Sequence, residues 1–137
     1  MTADPHLLFA MAANEVWEFE ATLMVTAPNT SADFKFGWVL PSGATMLWGV
    51  VSGLVGTDDS WDSFTTGGSP RDLLIESDVL ARGSTGSAGV YPVHLKGVVT
   101  NGANAGDCVL SWAQNTSDGG NSTLKINSFI KHSLLNP

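Results

Sequence analysis

At 137 residues the chain has the length of one domain, long enough to bury a hydrophobic core without disulfide staples. Charged residues make up 14% of it, against about 25% in an average soluble domain, and Gly, Pro, Ser, Thr and Asn take their place. That balance excludes helical bundles, whose surfaces are built of Glu and Lys, and the net charge of −7 speaks against nucleic acid as a partner.

A short apolar segment, Leu7 to Met11, predicts a first strand. From Val16 to Val25, Trp17, Phe19, Ala21, Leu23 and Val25 fall on one face of a period-two pattern. Glu18, Glu20 and Thr22 take the other face, and Met24 is its apolar exception. After a Pro28-Asn29 turn, Phe34, Phe36, Trp38 and Leu40 share a face, which suggests an antiparallel pair with the strand before. Pro41-Ser42-Gly43 turns the chain, and Ala44 to Val51 continues as an apolar run holding Met46 and Trp48.

Residues 52 to 71 read as irregular, with Trp61 and Phe64 as apolar anchors, and Asp72 to Arg82 gives an imperfect strand pattern. Tyr91, Val93, Leu95, Gly97 and Val99 then alternate with His94 and Lys96. Cys108, Leu110, Trp112 and Gln114 form one face of the next strand. The polar island Asn115 to Thr123 follows, and its Asp118-Gly119-Gly120 suits the reversal of a hairpin. The last predicted strand carries Leu124, Ile126, Ser128 and Ile130 on one side, with Lys125, Asn127, Phe129 and Lys131 on the other. About eight strands joined by Gly, Ser and Asn loops, without sustained helical spacing, predict one all-β domain over residues 1–137. The expected architecture is an antiparallel two-sheet β-sandwich of jelly-roll type.

Candidate chemistry is sparse. Glu18 and Glu20 are neighbours on one strand face, roughly 6–7 Å apart by strand geometry, near a glycosidase separation. Such pairs face each other across a cleft, whereas adjacent Glu residues on one strand are what a solvated sheet face carries. Asp58, Asp59 and Asp62 form the densest acidic cluster, but without the spacing of a calcium loop, so a solvated loop is expected. His6, His94 and His132 are far apart in sequence, and His94 alternates away from the core beside Lys96. The single cysteine, Cys108, sits in a strand pattern and reads as a small buried hydrophobe. CxxC, HExxH, GxSxG and Walker glycine loops do not occur, so neither a cofactor nor a resident metal is expected, and no enzymatic activity. Sequons at Asn29, Asn115 and Asn121 carry little weight, because the N-terminus lacks the basic stretch that opens a secretory signal. No apolar stretch approaches the ~20 residues that membrane insertion needs.

Three segments resemble a known family. DPHLLFAMAANEVWEFEATLMVT, ADFKFGWVLPSGA and LKGVVTNGANAGDCVLSWAQNTSDGGNSTLKINSFIKH are similar to a β-sandwich module of structural proteins of tailed bacteriophages. The module recurs in tail, tail-fibre and head-decoration proteins. The likeness covers residues 4–26, 33–48 and 95–132 and leaves 49–92 without a counterpart. It implies a virion building block, often trimeric, with no catalytic residues to carry over. Because the module makes up nearly the whole chain, it favours a capsid decoration protein, a homotrimer on the outer surface of the head that contacts the major capsid protein. The alternative is a tail or tail-fibre component with a receptor- or carbohydrate-binding role, for which Trp61 beside Asp58 and Asp59 is the cue. Met24, Val39 and Phe129 point outward on otherwise polar faces and, with Trp61, are the expected interface residues.

Overall fold

Alternating apolar and polar residues lay down strands that bury one face each, and the chain has little else from which to build. The computed structural model describes residues 1–52, 74–77, 79–82 and 89–136. Its strands are β1 (Thr2–Met11), β2 (Val16–Thr26), β3 (Phe34–Val39), β4 (Thr45–Ser52), β5 (Leu74–Ile75), β6 (Leu80–Arg82), β7 (Tyr91–Thr100), β8 (Gly106–Gln114), β9 (Thr123–Leu124) and β10 (Phe129–Leu134). They form two antiparallel sheets. One is ordered β1-β8-β3-β6, and the other β10-β2-β7-β4-β5 with β9 also on β2.

The order follows a simple rule. β1 pairs with β8, β2 with β7, β3 with β6 and β4 with β5. In these four pairs the numbers total nine, as in one long hairpin rolled up until β3 also meets β8 and β4 meets β7 to complete two opposing sheets. That is the jelly roll the alternation predicted. β9 and β10 are an addition that lengthens the second sheet beyond β2.

Between the sheets lies an aromatic core. Phe19, Phe34, Phe36 and Trp48 are fully buried, together with Leu23, Leu95, Leu110, Val93 and Val99. Trp38 links the layers, with its ring 4.6 Å from Phe19 and 6.2 Å from Trp48. Gly97 lies opposite both Phe19 and Trp48 in the ladder and leaves room for these rings. The strand faces assigned from sequence for β2, β3, β7 and β8 are those observed.

Three expectations about connections require correction. β2 and β3 do not pair; they lie in opposite sheets and meet across the core. The stretch Asn115 to Thr123 is no hairpin, because β8 belongs to one sheet and β9 pairs with β2 in the other. The last predicted strand is interrupted. Five steps along it, from Leu124 to Phe129, oppose only three along β2, from Val25 to Thr22. The two extra residues are absorbed in a turn where the Ser128 N–H donates to the Lys125 carbonyl, and Ile126 stands 99% exposed at its tip. An even insertion preserves the alternation, so Phe129 still points outward. β1 is longer than foreseen and contains an irregularity between Ala3 and Leu8, where Asp4 accepts the His6 and Leu7 N–H groups.

Candidate functional site

Cross-strand register decides which outward side chains become neighbours. On the outer face of the larger sheet, Lys131, Glu20 and Lys96 stand in one row across β10, β2 and β7. Lys96 Nζ donates to Glu20 Oε1 at 2.8 Å, and this contact holds the Glu20 carboxyl below its usual range and raises the Lys96 ammonium. Both groups are well exposed, so the pair orients side chains more than it stabilises the fold. In the row alongside, His94 Nδ1 lies 3.1 Å from the Thr22 hydroxyl, and Phe129 comes next on β10. The Lys131 ammonium sits 5.6 Å from the centre of the Phe129 ring.

These arrangements place the predicted residues plainly. Glu20 faces Lys96 and not a second carboxylate, and Glu18 is its exposed neighbour on the same strand. His94 is held by Thr22. His132 stacks on Phe9 at 4.6 Å and meets Trp17 edge-on at 5.1 Å at the margin of the sandwich. His6 is exposed on β1, so the three histidines do not converge. Among the described residues no three His, Cys, Asp or Glu side chains gather as metal ligands. Cys108 is buried between the sheets, and desolvation pushes its thiol pKa far up, against any role as a nucleophile. Trp61, Asp58, Asp59 and Asp62 lie outside the described residues.

The expected interface residues that are described all point outward. Val39 is 49% and Phe129 43% exposed. Met24 is half-buried and lines an apolar cleft of 530 Å³ with Val90, Leu124 and Ile126.

Further outward apolar side chains went unforeseen. Val98, Leu47 and Ile75 form one row across β7, β4 and β5, each more than 40% exposed. Leu8 and Val109 join the expected Val39 in a row on the other sheet. The apolar run Ala44 to Val51, with Thr45 its one polar residue, held a hint of the first. A run with no polar alternation fills both faces of a strand, and only one face can meet the core.

At one end of the sandwich the polar island 115–122 folds over the β2–β3 loop. The Asn29 amide donates to Asp118 Oδ2 at 2.7 Å, the Gly120 N–H donates to Asp118 Oδ1 at 2.8 Å, and the Gln114 amide reaches the Gly120 carbonyl. Asn115 and Thr116 N–H groups donate to the carbonyls of Asp33 and Ala32. The island is therefore a strap tying the two sheets together. Asp118, accepting these bonds, titrates below the usual carboxylate range. No family model, curated protein or solved structure matches this chain.

Proposed function

We propose that the chain is a structural protein of a tailed-bacteriophage particle, a decoration protein that assembles as a homotrimer on the outside of the head. The observation that carries the reading is the placement of apolar side chains in rows on the outer faces of both sheets. Exposed apolar patches rimmed by polar groups mark sites of association. The sequence likeness to phage structural modules supplies the class of assembly, and the jelly roll is an architecture shared by many viral shells. Its partners are further copies of the chain and the major capsid protein. An acidic, lightly charged exterior also suits a protein held away from packaged DNA.

The test is sedimentation with particles. Purified protein is mixed with capsids lacking their outer decoration and spun through a density gradient, and its mass in solution is measured by light scattering. Co-migration with the capsids and a mass three times the 14.4 kDa chain are expected. A chain that stays monomeric and never travels with particles would refute the proposal.

A further inference from the structure

On β8 and β3 the outer face of the four-stranded sheet carries two charged side chains, Asp107 and Lys35, in a chain of net −7. Along β8 its side chains fall into successive rows. Asp107 stands beside Ala10, and the next outward row is Leu8, Val109 and Val39. Then come Ala3, Ser111 and Gly37, and finally Lys35 beside Ala113. The face thus runs negative, large, small, positive. Leu8 and Val39 are exposed, whereas Ser111 and Gly37 are buried and form the floor of the small row. Neither Lys35 nor Asp107 has an ion-pair partner among the described residues, where the pair formed is Lys96–Glu20. From Asp107 to Ala113 is a span of roughly 20 Å at about 3.3 Å per residue.

We infer that this face docks on a second copy of the chain across a two-fold axis. The axis lies in the plane of contact, at right angles to β8 and level with Leu110. Rotation about it sets each strand over its own mate and reverses the order of the rows. The ridge Leu8–Val109–Val39 of one copy then rests on the row Ala3–Ser111–Gly37 of the other, and Lys35 comes beside Asp107. Each contact occurs twice, as an isologous interface requires. Stacking the strands in parallel, about an axis along β8, would instead set ridge on ridge and leave Lys35 roughly 20 Å from Asp107, which bulk and the lost charge pair both oppose. Sequence and register therefore make the face complementary to itself in one orientation.

Three strands, β1, β8 and β3, about 4.8 Å apart over this length cover roughly 300 Å² per copy, or about 600 Å² in all, below the standard size of a specific interface. The association is accordingly weak and belongs to high local concentration, as on a particle surface. It does not depend on the trimer. Monomers would pair to dimers, and trimers to hexamers.

Sedimentation velocity from about 10 µM to about 1 mM tests this. A concentration-dependent doubling of mass is expected for the parent chain. Lys35→Glu and Asp107→Lys should each weaken the doubling by about tenfold or more, because each places like charges together. The double variant Lys35→Glu/Asp107→Lys should restore it, since the pair is re-formed with its signs exchanged. Both positions are on the surface, so the thermal midpoints of the variants should match the parent and separate lost contact from lost fold. No doubling at any concentration, a doubling indifferent to the single charge variants, or a double variant as weak as the singles would each overturn the inference. A chain that doubles from monomer to dimer, and is never three- or sixfold, would retain this contact while refuting the trimer.

Discussion

Gly97 is the position where one added methyl group should cost the most. A Cβ there would stand 2.6 Å from the Leu47 carbonyl oxygen and 2.7 and 2.8 Å from two carbons of the Phe19 ring. Comfortable carbon contacts begin at about 3.5 Å, so the neighbours must retreat by roughly 0.7–0.9 Å. Neither can do so freely. Leu47 belongs to the ladder between β4 and β7, and Phe19 is held against Trp38 at 4.6 Å. Overpacking of this kind costs about 1–3 kcal/mol, offset by the ~0.4–1 kcal/mol that replacing Gly recovers from the unfolded chain. Gly97→Ala should therefore destabilise by about 1–2 kcal/mol, or a fall in thermal midpoint of about 3–10 °C. Urea unfolding followed by tryptophan fluorescence reads the change as a lower midpoint at an unchanged slope. Gly49→Ala supplies the control. It lies two residues from Leu47 on β4, and a Cβ there meets nothing within 4 Å. That variant should be neutral or stabilised by up to about 1 kcal/mol. Equal effects at the two glycines, or a Gly97→Ala protein as stable as the parent, would show that the aromatic cluster is not packed around Gly97.

Two further outcomes follow from buried polar groups and from burial itself. Asn101 is 3% exposed, and its amide donates to the carbonyls of Ala12 at 2.7 Å and Asn104 at 3.0 Å, so Asn101→Ala should destabilise by about 1–3 kcal/mol in the same urea assay. An unchanged midpoint would mean that water replaces both bonds without loss. The Cys108 thiol should react with an aromatic disulfide reagent at least about 100-fold more slowly in the native protein than in denaturant at the same pH, because burial both shields it and disfavours its thiolate. Rapid reaction of the folded chain would place the residue at the surface.

Much of the interior was legible in the sequence, and the pairing was not. Alternation decides which face of a strand meets the core, so Phe19, Phe36, Leu95 and Leu110 could be assigned without knowledge of their neighbours. It carries no information on which strand lies alongside. β2 followed by β3 reads the same whether the link between them is a hairpin or a passage to the opposite sheet. Turn chemistry has the same ambiguity. The Asp118 carboxylate that receives the Gly120 N–H makes a tight local bend, and such a bend serves a strap as readily as a hairpin.

Outward residues divide in a similar way. Met24 and Phe129 stood out because their neighbours two positions away are polar, whereas Leu47 and Val98 were hidden within runs apolar on both faces. Ile126 was misplaced for another reason. The turn that ejects it is held by the Ser128 hydroxyl accepting the Met24 N–H, a partner 104 residues away in the chain, and nothing local announces it.

The rule that pairs the first strand with the eighth also sets a clock on synthesis. Thr2 meets Trp112 in the finished sheet, so about 110 further residues must be made before β1 has a partner. At about 5–20 residues per second that is a wait of roughly 5–20 s with an unpaired strand edge exposed. β8 must then seat itself between β1 and β3 to close the four-stranded sheet. A nascent chain of this design is most open to mispairing with its neighbours on the same message during that interval, and slowed synthesis would lengthen the hazard in proportion.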